Sequence, residues 1–93
     1  MIATVLLTIA LGSASVSQTA QANLDCAELG RYAEVASIIK LVGLSEQDAV
    51  DAAEYPYKAL VRAVYAMPVA TKADAERNGQ TIRAACLIKR GVL

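Results

Sequence analysis

The chain has 93 residues, nine Lys+Arg against nine Asp+Glu, and no His, Trp or Phe. That length allows one small domain. Without histidine there is no Ser-His or Cys-His catalytic pair, no imidazole zinc ligand and no imidazole pH switch. Zero net charge argues against a general polyanion binder, which usually carries a basic excess.

Residues 1–22 contain no charged side chain. The apolar run Ile2-Ala3-Thr4-Val5-Leu6-Leu7-Thr8-Ile9-Ala10-Leu11 has the length of a signal h-region and falls short of the roughly 20 apolar residues of a spanning helix. Small and polar residues follow and end in Ala20-Gln21-Ala22, a small-x-small cleavage pattern. The expectation is a cleaved signal peptide over 1–22 and a helical domain over 23–93, placed in the periplasm or outside the cell. The n-region has no Lys or Arg, so an uncleaved helix that packs on the domain or lies in a membrane is the alternative. No stable membrane span is expected. Asn23-Leu24-Asp25 before Cys26 is not a lipobox, so no lipoprotein is read.

The remaining 71 residues are few for a core to stabilise alone. Cys26 and Cys86 are the only cysteines, and an exported chain can oxidise them. The bond would close a loop of about 60 residues, worth roughly 4 kcal/mol on chain-entropy arithmetic. Two buried free thiols are the alternative. Two cysteines make a poor metal site, and their spacing is not C-x-x-C. No metal and no cofactor are expected.

The domain reads as helices throughout, with no sustained period-two alternation. Asp25 followed by Glu28 resembles a capping box, which predicts a first helix from about Cys26 to Val42. Gly43 stands where a left-handed residue ends a helix, with Leu44 for the accompanying apolar contact. Ser45 can cap the next helix, and Glu46, Asp48 and Asp51 suit its positive end. Pro56 ends or kinks that segment near residue 54. Tyr57, Leu60, Val61, Val64 and Tyr65 then form a helical apolar stripe until Pro68. Thr71 with Asp74 starts a last helix that reaches about Arg90, and its Ala75, Gly79, Ile82 and Cys86 make a stripe in which Gly79 allows close backbone approach.

Cys26 and Cys86 lie at opposite ends of a straight up-down-up bundle, because the first helix alone rises about 25 Å. A disulfide needs Cα atoms within about 7 Å. A reversal at Tyr55-Pro56-Tyr57 reconciles the two. The prediction is an all-α bundle of four segments, the second short, stapled by one disulfide.

Charge is unevenly placed. Residues 23–54 carry seven acids and two bases; residues 55–93 carry two acids and seven bases. Helix dipoles and attraction between the packed halves account for this, and a bipolar binding surface is the functional alternative. The four tyrosines are the only aromatics. Tyr55, Tyr57, Lys58, Arg62 and Tyr65 form a candidate partner-binding patch, since Tyr and Arg are enriched at interface centres; core and bend packing is the alternative. No phosphate loop or nucleophile-base pair is present, so no enzyme is expected.

Two architectural resemblances follow from these residues. An exported helical domain with one wide pair of cysteines, Cys26 and Cys86, resembles the periplasmic acid-stress chaperones, although the chain ends seven residues after Cys86 without their long charged tail. Val61-Arg62-Ala63-Val64-Tyr65-Ala66-Met67-Pro68, with a later helix ending Ala84-Ala85-Cys86, is similar to the end of small periplasmic immunity proteins, whose earlier Gly-rich motif is missing. Neither amounts to membership of a family. The functional expectation is a non-enzymatic, exported module that binds another protein, as an immunity or accessory protein, with a conditional chaperone as the alternative. No nucleic-acid partner is expected, and a homodimer is among the arrangements the sequence allows.

Overall fold

A computed structural model describes residues 2–92, with side-chain environments from residue 18 onward. The chain forms α1 (Ile2–Leu41), α2 (Glu46–Ala52), a 3-10 turn (Tyr55–Tyr57), α3 (Lys58–Tyr65) and α4 (Lys72–Lys89). No strand occurs among the described residues. The all-α reading, the four helices and the break at Pro56 therefore hold.

The start of the first helix does not hold. α1 begins at Ile2 rather than near Cys26. No proline interrupts residues 2–41, so nothing in the covalent chain stops the helix there. Asp25 is an interior residue, not a cap. Its carboxylate accepts from Gln21 Nε2 one turn back at 2.8 Å and from Arg90 Nη1 at 3.1 Å. The expected junction between Ala22 and Asn23 lies inside this helix, and Ala22 is buried. The apolar run 2–11 of the expected leader lies outside the residues whose side chains are described.

The ends of the other elements follow their sequence signals. Gly43 has φ of 100°, in the left-handed region that a Cβ disfavours. There the Leu44 amide donates to Ile39 O at 3.2 Å and the Gly43 amide to Lys40 O at 3.0 Å, the paired bonds of a Schellman ending. Ser45 Oγ accepts from the Asp48 amide at 3.1 Å and caps α2. At α4 the cap is reciprocal. The Asp74 amide donates to Thr71 Oγ1 at 3.3 Å, while Asp74 Oδ2 accepts from the Thr71 and Ala70 amides at 3.0 and 2.8 Å.

α1 and α4 run antiparallel as the main pair. They come closest where Gly30 faces Gly79. A Cβ on Gly79 would meet Gly30 O at 2.7 Å, and one on Gly30 would meet Gly79 O at 2.8 Å. Only hydrogen fits between these backbones. Nearby, Cys26 and Cys86 are joined by a disulfide with Cα atoms 5.5 Å apart. Asp25 and Arg90 bridge the same helices at 3.1 Å.

The bend at Pro56 folds α2 and α3 onto the C-terminal part of α1. Ala33, Ala36, Ala49, Val50, Val61 and Val64 form the centre of the core, with Tyr32, Ile39, Leu60, Tyr65 and Ile82 packed around it. Among the described residues the largest fully buried side chains are Val64, Cys26 and Ser37, so this core is built from small residues. Small side chains remove little apolar area from water, which raises the relative weight of the disulfide.

Polar side chains tie the loops to this core. Lys40 Nζ donates to Tyr65 O and Met67 O, both at 2.8 Å, and satisfies carbonyls at the end of α3. The buried Asn78 amide donates to Ser37 Oγ and to Pro68 O, both at 3.2 Å, holding the α3–α4 connection against α1.

Candidate functional site

The residues singled out from sequence divide into two sets. Tyr55 opens the 3-10 turn and is 86% exposed. Arg62 lies on the outer face of α3 and is also exposed, because Val61 and Val64 turn the other face inward. Tyr57, Lys58 and Tyr65 each have a partner within the fold. The Tyr57 ring stacks on Tyr32 with centroids 4.3 Å apart and planes 20° from parallel. Its hydroxyl donates to Glu28 Oε1 at 3.3 Å. The negative charge of Glu28 and partial burial raise the phenol above its ordinary pKa, so it stays a donor. Lys58 Nζ donates to Val50 O at 2.7 Å and caps the end of α2. The Tyr65 hydroxyl donates to Leu44 O at 2.9 Å, and burial, then the charges of Glu46 and Asp48, raise its pKa. Of the five residues, Tyr55 and Arg62 thus face solvent, while Tyr57, Lys58 and Tyr65 are engaged within the fold.

Between α1 and α2 lies a groove of about 190 Å³. Tyr32, Val35 and Ile39 form one wall, Ala49 and Ala52 the other, and Leu44 closes one end. These residues were not singled out from sequence. The available signal was the run of alanines on α2, since a methyl group on one wall facing Val, Ile and Tyr on the other leaves a gap. Pockets for small molecules usually measure about 300–1,000 Å³, whereas this one has the size of one or two inserted side chains. Val35 at 49% exposure and Leu44 at 40% extend its apolar surface to the rim.

A second depression, of about 390 Å³, surrounds Gly30 and Gly79. Arg31 and Arg83 line it together with Glu34 and Glu76, so its charges cancel and it offers no net field for an ion. No group of three or more acidic or cysteine side chains is placed to hold a metal among the described residues. No helix among them is long and apolar enough to cross a membrane.

The charge asymmetry resolves into local contacts. Asp25–Arg90 joins the acidic first half to the basic second half, and Asp74–Arg77 lies within α4. Lys40 and Lys58 spend their charge on carbonyls at helix ends. Acidic Glu46, Asp48, Asp51 and Glu54 remain exposed along and just after α2. The chain matches no family model, no curated protein and no solved structure.

Proposed function

We propose that the chain is an exported, non-enzymatic module that binds another protein through the α1–α2 groove, with the exposed Tyr55 and Arg62 as further contacts. The observation that carries this reading is the groove itself: solvent-open, apolar-walled and sized for side chains rather than for a cofactor. Preformed pockets that accept a buried anchor residue are where interface energy concentrates. The Lys58 bond to Val50 O and the Tyr65 bond to Leu44 O support this by holding the α2 wall before binding, which lowers the ordering cost. An immunity or accessory role fits such a rigid face.

The test is a crosslinking pull-down on the exported, oxidised chain, comparing wild type with Ala52→Phe. Ala52 is exposed, so a phenyl ring there fills the groove without entering the core. A partner that is retained by wild type and by Gln80→Ala, but lost with Ala52→Phe, supports the reading. A partner retained equally by Ala52→Phe refutes it.

The acid-stress chaperone is the second reading, favoured by Asp25 and Asp74. Both are held below the ordinary aspartate pKa, Asp25 mainly by Gln21 and Arg90, Asp74 by the Ala70 and Thr71 amides. Their protonation loosens the α1–α4 pair and the start of α4. Suppression of client aggregation near pH 3, with loss of tertiary packing, would favour it over the rigid module.

A further inference from the structure

α1 carries a largely exposed stripe between the sides taken by α4 and by the α2–α3 hairpin, bordered by the Glu28–Tyr57 contact and the half-buried Ile38. α4 takes the side bearing Cys26, Gly30 and Ser37, all buried. The α2–α3 hairpin takes Ala36, with Tyr32 and Ile39 beside it. On the remaining side Leu24, Glu28, Arg31, Val35, Ile38 and Val42 follow one another at intervals of four, three, four, three and four residues. That is the heptad spacing of a helix–helix seam. Leu24 is 67% exposed, Val35 49% and Val42 76%, while Glu28 and Arg31 are exposed between them.

The order of these residues selects an occupant. When a second copy of α1 runs antiparallel, one register places Glu28 opposite Arg31 of the second copy and Arg31 opposite its Glu28. The same register places Leu24 against Val35, and Val35 against Leu24. The four central positions are thus self-complementary, both in charge and in apolar character. A parallel, in-register pair would instead set Glu28 against Glu28 and Arg31 against Arg31. Polar residues in a seam of this kind fix register and orientation more than they add affinity.

We infer that the chain pairs with a second copy of itself through this stripe, as an antiparallel two-fold dimer centred between Glu28 and Arg31. The contact is isologous, as a two-fold axis requires. Its four central positions, Leu24, Glu28, Arg31 and Val35, lie in the expected 23–93 domain, so that centre survives leader removal, whereas Ile38 falls opposite Gln21 of the second copy. It also lies apart from the proposed groove except at Val35, which borders both. Two short helical turns on each side of the axis bury less than the roughly 1,200 Å² of a standard interface, so the dimer is weak and concentration-dependent.

The experiment is sedimentation equilibrium on the exported, disulfide-bonded chain, alongside Glu28→Arg, Arg31→Glu and their equimolar mixture. Wild type should self-associate reversibly. Each charge reversal should weaken association at least ~10-fold, since two like-charge contacts form by symmetry. The mixture should recover the wild-type constant, because the two variants face each other with opposite charges at both positions. Leu24→Lys provides a second disruption at a site that is 67% exposed, and it should also leave a monomer. Circular dichroism checks that each variant keeps its helices, since Glu28 accepts from Tyr57. A wild type that stays monomeric to about 1 mM, above which affinities drop under ~4 kcal/mol, overturns the inference. So do variants that associate like wild type, or a mixture of folded variants that fails to recover.

Discussion

Replacing Gly79 with alanine tests the closest point of the fold. In an isolated helix this change would stabilise by about 1 kcal/mol, because glycine is a poor helix interior residue. Here the new Cβ would lie 2.7 Å from Gly30 O and 3.0 Å from Glu34 Cβ. Ordinary contact begins at 3.4 Å, so α1 and α4 must part by about 0.7 Å. The oxygen belongs to helical backbone and cannot swing aside. The disulfide from Cys26, one turn from Gly30, resists local separation. Overpacking of a tight contact typically costs about 1–3 kcal/mol, against the propensity gain of about 1. The expected net is a loss of up to about 2 kcal/mol, or a fall of up to roughly 15 °C in Tm for a domain of this size. Thermal and urea unfolding followed by circular dichroism, on oxidised protein, measure it. Gly30→Ala should behave alike, since its Cβ would meet Gly79 O at 2.8 Å and Arg83 Cβ at 2.9 Å. A Gly79→Ala variant more stable than wild type would refute the close crossing.

Other outcomes follow from the polar ties. Asn78→Ala leaves the buried Ser37 hydroxyl and Pro68 carbonyl without their donor and should destabilise by about 1–3 kcal/mol. Adding Ser37→Ala should cost less than the sum, which a double-mutant cycle in urea reads directly. The acid response has a fixed sign. Asp25 and Asp74 have lowered pKa values in the fold, so their contribution is present above the unfolded aspartate value and is lost as pH falls below about 4. A plot of Tm against pH should therefore fall on the acid side, and Asp74→Asn should make that fall shallower. An unchanged slope would show that the α4 cap does not respond to acid.

The legible parts of the fold were those set by local chemistry. Gly43, Ser45 and the Thr71/Asp74 pair each marked a helix end, because caps and left-handed residues are satisfied by near neighbours in sequence. The reversal at Pro56 was legible for another reason: two distant cysteines could meet only if the chain turned back there. The spacing of Asp25 to Glu28 fits a cap, whereas in the fold its carboxylate takes Gln21 one turn back and Arg90, 65 residues away. The candidate patch was legible only in part. Tyr55 and Arg62 face solvent, but Lys58 and Tyr65 are drawn to carbonyls that only the folded chain presents.

By itself the sequence determined the helical class and pointed to the bend and the Cys26–Cys86 bond, since these depend on residue type, spacing and chain length, and the fold decided for the bond over two free thiols. Tertiary structure alone decided how far α1 extends, which tyrosines stay exposed, and where the groove opens. Those outcomes depend on the gap left when an alanine wall meets a wall of larger side chains. They depend also on which helix face remains after α4 and the α2–α3 hairpin have taken theirs.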